Sequence, residues 1–505
     1  MNIRRWWRSK PISQPRQKPR PTGAEQAIAR ETLLSAFQHC HDVHRETFRL
    51  GGDPPVEGLL LYARGMVDLK RLNDEVWPQL NRLVSASARN RFDPALLLRH
   101  WPYTTLTPLS NMEEVVDKLF MGQLILHFDA TRFTLAVDIA QRPQRQPEDT
   151  TTEISIRGPR DGLIEDLDVN VALIRKRLRT AILHHEQYVL GQRSKTRVAL
   201  LYMADIVPPA VIQQIKARLE QIQVDGLFSS NQLEELLTDS PYRLFPLFHY
   251  SGRPDFVADA LVRGRFALLM DGVPTALIAP AQLLLIMKNA EDAEYAWAYN
   301  SMERLLRLAA MSIAVFLPGF WVALTTYHQD QLPLILLGNI AQAREGVPLP
   351  SPLEALVLTF LFELFREAGL RLPLAIGQVL AVVGGIIIGE AAIRAGLTNP
   401  SLVVIIASSA VATFTLSNQS LAGTVSILRY FNLIFSALLG LFGFLGSAFL
   451  ILIYVCHLRS FGIPYMAPLA PVRWPDFIQA AIHPSPQKLK HRPDLLDPGD
   501  PDRKR

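Results

Sequence analysis

Two groups of histidines are the side chains whose spacing could support metal chemistry. The motif HCHDVH offers His39, Cys40 and His44 as ligands. His184 and His185 form a second pair further along the chain. Imidazole and thiolate are donors that Zn²⁺ prefers, but a solvated helix face has the same spacing, and we favour that interpretation. There is no HExxH, nucleophile elbow or Walker motif and no recognisable pair of catalytic acids. We therefore predict a protein that is not an enzyme and has no metal or cofactor.

A set of acids within an apolar stretch is the second group with chemical potential. Residues 352–370 read PLEALVLTFLFELFREAGL, in which Glu363 and Glu367 lie four positions apart and therefore on one helix face. Glu354 lies nine positions before Glu363, on the opposite face. Local pairing of the two acids with nearby arginines such as Arg366 is one interpretation. The alternative is a ring of carboxylates, repeated by oligomer symmetry, that attracts cations at a pore mouth.

A stripe of polar side chains follows in the apolar segment 401–421. At helical spacing Ser408, Thr415 and Gln419 align along one side. Hydroxyl side chains often join packed helices, so helix packing is one interpretation, and a water-filled lumen is the other. Our pore or gating candidates are therefore Glu354, Glu363, Glu367, Ser408, Thr415 and Gln419.

These groups lie in a part of the chain that is depleted of charge. The protein has 505 residues, but residues 306–457 carry only 12 charged side chains in 152 positions. A helix needs about 20 apolar residues to cross a bilayer. The acidic stretch 352–370 is predicted as a re-entrant or interfacial helix, with a fifth membrane element as the alternative. The positive-inside rule places both termini in the cytoplasm. The four predicted spans are about 308–327, 373–393, 401–421 and 433–456.

The first 300 residues contain an internal repeat. ETFRLG at 46–51 and EQYVLG at 186–191 are offset by 140 positions. VVDKLFMGQLILHFD at 115–129 resembles VADALVRGRFALLMD at 257–271. The patterns predict two copies of one α/β subdomain, each with two short strands, helices, and a helix that leads through a glycine into a hairpin.

The predicted fold class is an α/β N-terminal cytoplasmic region built from two duplicated subdomains, followed by an all-α C-terminal transmembrane domain. The formal net charge of +5 is too small and too scattered for nucleic-acid binding. The end of the chain, 484–505, is rich in proline and predicted to be disordered. The predicted regions are a disordered basic tail (1–29), subdomain 1 (30–147), subdomain 2 (148–300), the transmembrane domain (301–460) and a cytoplasmic Pro-rich tail (461–505).

The segment between the two copies is the most distinctive soluble motif. Residues 153–177 read EISIRGPRDGLIEDLDVNVALIRKR, which predicts a strand, a break at Gly158-Pro159, and a helix with acids early and bases late. That charge order complements the helix dipole. A well-capped surface helix is one interpretation, and an inter-subunit contact is the other. The contact candidates are Arg157, Gly158, Pro159, Arg160, Arg175 and Arg177.

Several of these motifs together resemble the A subunit of the GerA-type spore germination receptors. The resemblance rests on SIRGPRDGLIEDLDVNVALIRKRL, on DGVPTALIAP, on the apolar run from REAGLRLP to RYF, and on SFGIPYMAPLAP. It covers about residues 30–475. Leu163 departs from the family, which commonly has Phe at this position.

The resemblance implies a subunit of a nutrient-sensing complex in the inner membrane of a bacterial endospore. By that resemblance, the chain forms a homo-oligomeric ion channel, a pentamer, in the lipid bilayer. Its expected partners are a transporter-like B subunit that binds the germinant and a lipoprotein C subunit. The rival interpretation is a secondary transporter with a cytoplasmic regulatory domain, although transporters usually have more spans and often inverted repeats.

Overall fold

The computed structural model divides the chain into two compact units. The first unit comprises Met1–Gln38 and Val43–Arg142, and the second comprises His39–Asp42 and Pro143–Arg505. The predicted basic tail, the strand before Gly158 and nearly all of the predicted span 373–393 lie outside the described residues. The structure describes residues 28–51, 55–86, 97–98, 101, 106–141, 157–238, 243–371, 390–416, 418–481 and 491–502.

Each unit contains one antiparallel five-stranded sheet. In the first unit the spatial order is β1-β2-β4-β5-β3. The strands are β1 (Val43–Leu50), β2 (Val56–Ala63), β3 (Leu106–Leu109), β4 (Leu124–Phe128) and β5 (Phe133–Val137). In the second unit the order is β6-β7-β9-β10-β8. The strands are β6 (Leu183–Leu190), β7 (Thr196–Met203), β8 (His249–Ser251), β9 (Phe266–Met270) and β10 (Ala276–Ala279).

The two sheets have the same strand order, and the repeated sequence segments occupy equivalent elements. The two copies of the first repeat lie in β1 and β6, and the two copies of the second lead into β4 and β9. Gly122 and Gly264 precede those strands with φ of +89° and +94°, a conformation that glycine adopts without strain. The predicted α/β class of the N-terminal region is thus confirmed. Each sheet also has an edge strand, β3 or β8, that the repeat did not predict.

The helices of the first unit are short. Two of them are joined through a π-helical segment at Leu72–Val76. They are α1 (Arg30–Ala36), α2 (Leu69–Arg71), α3 (Trp77–Ala86) and α4 (Met112–Phe120). In the second unit, short helices accompany the sheet, and they are α5 (Leu167–Arg175), α6 (Pro209–Gln221), α7 (Ser230–Leu237), α8 (Pro254–Val262) and α9 (Leu283–Ile286).

The C-terminal half of the second unit is helical. Among the described residues, α10 (Trp297–Tyr327) and α14 (Gln419–His457) are long and apolar enough to cross a membrane, by length and composition. Short 3₁₀ turns occupy Ala290–Glu294, Gln329–Gln331 and Asp494–Leu496, and a two-residue hairpin joins β11 (Arg459–Ser460) and β12 (Ile463–Pro464). The helices are α10 (Trp297–Tyr327), α11 (Leu334–Ala343), α12 (Ser351–Arg371), α13 (Pro400–Phe414), α14 (Gln419–His457) and α15 (Trp474–Ala481).

Alternating residues of the second sheet serve two hydrophobic clusters, as expected for a strand pattern of period two. Leu201 and Leu269 face α5 and α8. Leu200 and Leu268 belong to a larger cluster that also includes Ala314 of α10. One continuous apolar core therefore joins residues on both sides of the subdomain boundary predicted at residue 300.

Helix α14 folds back on itself at Gly440. Asn432 Nδ2 donates to Ser447 Oγ at 2.7 Å, although fifteen residues of straight helix would span about 22 Å. Gly440 has φ of 60° and ψ of −138°, which disfavours residues with a Cβ atom. The sequence predicted separate helices over 401–421 and 433–456. The structure ends the first at Phe414 and places the reversal at Gly440.

Part of the C-terminal tail is ordered, so the prediction of disorder over 484–505 is wrong for its described part, 491–502. Arg492 Nε donates to Val262 O at 2.9 Å, and Gly499 N donates to Ile206 O at 2.9 Å. Leu496 is buried against the second unit. Backbone and side-chain hydrogen bonds thus hold a segment whose composition alone is typical of disorder.

The buried imidazole of His249 is expected to make the stability of the second unit depend on pH. Its side chain lies 4.7 Å from Phe256 between ring centroids, and neither ring nitrogen has a hydrogen-bond partner among the described residues. Burial lowers its pKa to about 3, and Arg265 and Lys288 add to this effect. An unfolded histidine has a pKa near 6.5. Below that pH the unfolded state binds a proton that the folded state does not.

We therefore expect His249 to make its full contribution to the free energy of unfolding above about pH 6.5. Below that pH the contribution should fall by about 1.4 kcal/mol per pH unit toward pH 3. His249→Phe should remove this part of the slope. The measurement is the free energy of unfolding by denaturant at pH 7, 6 and 5 for the detergent-solubilised full chain. Equal slopes for wild type and variant would contradict the assignment.

Candidate functional site

A cluster of polar groups joins four apolar helices at the carbonyl of Ala314. Pro318 lies four residues later in α10 and has no N–H to donate to this carbonyl. Two side chains take the place of the missing amide. Ser409 Oγ of α13 donates to Ala314 O at 2.9 Å, and Arg429 Nε of α14 donates to it at 2.8 Å. The proline therefore creates the acceptor that ties α10 to both neighbouring helices.

Arg429 also connects this cluster to the acidic helix α12. Its side chain is 3% exposed, and its Nη2 donates to Thr413 Oγ1. Its Nη1 lies 3.9 Å from Glu363 Oε2. Glu363 forms an ion pair with Arg366 one turn along α12, as the local-pairing interpretation predicted. Ser426 Oγ donates to Glu363 Oε2 at 3.3 Å and accepts from Arg366 Nη1 at 2.9 Å, so both charges have partners within the chain.

Glu354 occupies a second buried site, at the beginning of α13. Its side chain accepts hydrogen bonds from Thr398 Oγ1, from Asn399 N at 2.8 Å and from Asn399 Nδ2 at 3.1 Å. Asn399 Oδ1 in turn accepts from Leu402 N at 2.9 Å and caps the helix. A carboxylate is favourable there because it meets the positive end of the helix dipole. The structure therefore places Glu354 as a partner of a helix terminus.

The predicted polar stripe does not run along one helix. Because α13 ends at Phe414, Thr415 lies beyond it, and Gln419 begins α14. Thr415 is half-buried, and its hydroxyl donates to Ala412 O at 2.8 Å. Ser408 and Gln419 are exposed, as is Glu367 on α12. The pore candidates thus divide into exposed residues and residues that the chain itself holds inside.

The geometry of the soluble motif depends on a buried ion pair, between Arg253 and Glu291, rather than on its own helix. Glu291 accepts from Arg157 N at 3.2 Å and from Gly158 N at 3.3 Å. Arg253 Nη1 donates to Glu291 Oε1 at 2.7 Å. A Cβ atom on Gly158 would press against the guanidinium of Arg253, so a larger residue at this position would have to displace that ion pair. Arg157, Pro159 and Arg160 remain exposed on the segment that these contacts hold.

Arg175 is not on the surface, which removes it from the inter-subunit candidates. Its guanidinium is fully buried and makes two hydrogen bonds to Asp42, at 2.7 and 2.9 Å, with a third to Thr180 O at 2.8 Å. Burial alone would raise the pKa of Asp42, but Arg175 and His185 hold it well below its usual value. The residue predicted as a surface contact therefore anchors His39–Asp42 within the second unit.

Arg177 is half-buried and has a partner of its own. Its Nη2 donates to both carboxylate oxygens of Asp161, at 2.6 and 2.7 Å. Burial raises the pKa of Asp161, but the hydrogen bonds and charge of Arg177 outweigh this and leave the pKa below its usual value. Arg177, just after the C-terminal end of α5, thus positions residues 157–161, the RGPRD segment. The predicted charge order of the helix is confirmed, with Asp168 in its first turn and Arg175 in its last.

The histidines form a group with an acid that the sequence did not connect to them. Ligand atoms of His39, His184 and Glu186 all lie within 4.8 Å of one another. However, Glu186 Oε1 already accepts from Tyr202 OH and from Lys216 Nζ, both at 2.6 Å. A cation would have to compete with the lysine for the same oxygen. The donor set therefore suits a carboxylate held by hydrogen bonds better than a metal centre.

Sequence reasoning missed three residues that organise these sites: Arg429, Asp42 and Glu291. A lone arginine between two uncharged runs was a usable signal for Arg429, because an isolated charge in an apolar region requires a buried partner. Asp42 and Glu291 pair with residues more than 130 and about 40 positions away, respectively, and no local pattern indicates such partners.

Comparisons with known proteins match nearly the whole chain. The family model described as Bacillus/Clostridium GerA spore germination protein matches residues 31–495. Spore germination protein XA of Bacillus anthracis is 43% identical over 480 residues, which cover 94% of this chain and 97% of that protein. The uncharacterized membrane protein YfkQ of Bacillus subtilis (strain 168) is 32% identical over 88% of this chain and 86% of its own length.

A solved structure also matches part of the chain. It is the crystal structure of the N-terminal domain of the A subunit of the Bacillus megaterium spore germinant receptor GerK3. The match covers 52% of this chain and 99% of that chain, with 24% sequence identity and a TM-score of 0.40.

The cluster at Ala314 leads to a prediction about helix packing. Arg429→Met should destabilise the chain by about 3 kcal/mol, because it removes a buried charge from its hydrogen-bonded partners. Pro318→Ala should reduce that loss, since the restored amide can donate to Ala314 O. The measurement is the free energy of unfolding of the two single variants and the double variant in detergent.

Arg394→Met serves as the control, since Arg394 is exposed and pairs with Glu390, at 2.5 Å, on the same exposed turn. We expect little change from it. If Arg429→Met cost as much in the Pro318→Ala background as in the wild type, the proposed link between the proline and the arginine would be wrong.

Proposed function

The chain belongs to the GerA family of spore germination proteins, and from this premise we propose that it is the A subunit of a spore germinant receptor. In this proposal several copies form a membrane channel that releases ions when nutrient is sensed, and ion release triggers germination. The observation that carries the proposal is the match of the family model to residues 31–495, which includes both the sheets and the apolar helices. No step of this function requires catalysis by the chain.

We place the helical region in the inner membrane of the spore as a multi-pass domain with both termini in the cytoplasm. The two long apolar helices support this placement, as does the name of the relative YfkQ. Helix α14 also presents large exposed apolar side chains, including Leu438, Phe442 and Phe449. Such a surface is stable against lipid or against another apolar helix, and not in water.

The exposed polar residues on these helices support the channel. Glu367, Ser408 and Gln419 are exposed in a region that is depleted of charge. A carboxylate facing hydrocarbon is costly, so an exposed one is expected to meet water or a partner chain. Repeated by cyclic symmetry, Glu367 would form a ring of negative charge that favours cations. Glu354 and Glu363 instead join α12 to neighbouring helices, and Thr415 donates to the last turn of α13, so we assign these three residues structural roles beside the lumen.

The soluble motif is our proposed contact between neighbouring copies in a homo-oligomer, for which the family resemblance implies a pentamer. Arg157, Pro159 and Arg160 are exposed, and Gly158 and Arg177 fix the shape of the segment that carries them. The proposed partners in the complete receptor are a transporter-like B subunit and a lipoprotein C subunit. We also propose that the two α/β subdomains arose by duplication, which their common strand order supports.

Ion conduction by the purified full chain in planar bilayers tests the channel. Glu367→Gln should lower the cation-to-anion permeability ratio roughly fivefold, because a carboxylate contributes about 1 kcal/mol of attraction in an aqueous lumen. Glu363→Gln is the matched control. It makes the same chemical change on the same helix face, but it should lower stability and leave selectivity unchanged. Absence of ion current from the wild-type oligomer would overturn the proposal.

The oligomer contact has a separate test. Arg160→Glu should shift the detergent-solubilised chain toward the monomer, because reversal of an exposed charge opposes a contact built for a cation. Light scattering coupled to size-exclusion chromatography gives the mass. Arg193→Glu, in which a side chain that is 85% exposed changes charge elsewhere in the second unit, should leave the mass unaltered. An unchanged oligomer for Arg160→Glu would reject the contact.

A further inference from the structure

A cationic cavity lies beside the second sheet, between α9 and α15. Arg263, Arg265 and Lys288 line it together with the amide of Gln282. Arg265 is 6% exposed, and its hydrogen bonds go to neutral groups, to Pro280 O at 3.2 Å and to Gln282 Oε1 at 2.9 Å. The charge of Arg265 is therefore buried beside other cations and is held by uncharged acceptors.

Gln282 adds a further hydrogen-bond donor to the residues that line this cavity. Its side chain is 3% exposed, and its Oε1 is occupied by Arg265 Nη2. Its Nε2 has no hydrogen-bond partner among the described residues. A buried N–H group without an acceptor costs about 1–3 kcal/mol, so the structure of the cavity favours a ligand with an acceptor oxygen.

The acids near the cavity do not balance its cations. Asp259 pairs with Arg263 at 2.6 Å, and Asp292 pairs with Arg307 at 2.5 Å and lies 3.7 Å from Arg304. Asp476 also lines the cavity, but its oxygens accept from the backbone N–H groups of residues 494 and 495, at 3.1 and 2.9 Å. The lining of the cavity itself thus contains three cations, Arg263, Arg265 and Lys288, and one acid, Asp476.

The basic groups also repel one another. Burial is the largest effect that lowers the pKa of Lys288 well below its usual value, and Arg263, Arg304 and Arg265 add to it. Burial likewise lowers the pKa of Arg265 to about 9, with a further contribution from Arg263. An anion in the cavity would relieve this repulsion, because its charge would attract all of the cations that line the cavity.

We propose that this cavity binds a phosphate group, and that its source is the headgroup of an anionic phospholipid. Phosphate offers acceptor oxygens to the guanidinium, ammonium and amide donors at once. An apolar cavity continues from Lys288 and is lined by Leu305, Leu308 and Phe477, which suits the beginning of an acyl chain. It lies where the charged first turns of α10 give way to the uncharged run 308–327. The lipid source rests on the membrane placement proposed above, and the phosphate chemistry does not.

The test uses the full chain in neutral detergent, titrated with dioleoylphosphatidylglycerol, with dioleoylphosphatidylcholine and with inorganic phosphate. Native mass spectrometry counts bound lipid, and the thermal midpoint reports phosphate. We expect phosphatidylglycerol to bind and phosphatidylcholine not to bind. Lys288→Met should weaken phosphatidylglycerol binding about tenfold, as expected for loss of one charge-assisted hydrogen bond. Arg193→Gln, which removes one exposed positive charge elsewhere, should bind as the wild type does.

Arg265→Gln provides a second variant. We expect both variants, measured without lipid, to have thermal midpoints close to that of the wild type. Their binding is compared with that of the wild type on this basis. One outcome is that inorganic phosphate stabilises the wild type and not the variants, while phosphatidylglycerol binds no better than phosphatidylcholine. In that case the phosphate site stands and the lipid source is wrong. If both variants bind phosphatidylglycerol and phosphate as the wild type does, the proposal is overturned.

These outcomes are separable from failure of the channel. A chain that binds phosphatidylglycerol in this cavity but conducts no ions would reject the channel and leave the binding site. A conducting chain whose Lys288→Met variant binds the lipid normally would reject the site and leave the channel.

Discussion

The packing of the helical region depends on one backbone carbonyl, that of Ala314, which Pro318 deprives of its amide partner. An apolar helix bundle has few polar groups with which to define how its helices are placed, because apolar contacts are not directional. The freed carbonyl supplies that direction. It accepts from Ser409 and from Arg429, and so determines where α13 and α14 lie against α10. Arg429 then extends the same network to α12 through Glu363.

Buried polar groups with several hydrogen bonds also organise the soluble part of the second unit. Asp42 holds Arg175, and Glu291 holds Arg253 together with the backbone of residues 157 and 158. In each case a buried charge is hydrogen-bonded at several atoms, which is the condition under which such a charge is tolerated. These pairs explain why the RGPRD segment has a defined shape although it contains little regular structure.

Local sequence patterns predicted those parts of the fold that local forces determine. The offset of 140 positions between the repeats identified equivalent strands, and the acids and bases of 165–177 marked the two ends of a helix. Long-range pairs were not predictable in this way. The reversal at Gly440 lies within an uninterrupted apolar run, where hydropathy is the same for a long helix and for a hairpin. Arg429 was visible as an isolated charge, but its partner is a carbonyl that becomes an acceptor only through a proline on another helix.

The predicted site residues differ in how deeply the fold buries them. Glu354, Glu363 and Arg175 have their partners within the fold, and removing such partners would leave buried charges without compensation. Glu367, Ser408 and Gln419 are exposed on helices of the part of the chain that is depleted of charge. Water or another copy of the chain is the environment in which these exposed groups cost least. The division therefore favours the proposed arrangement in which internal polar groups define each subunit and the exposed ones face a shared lumen.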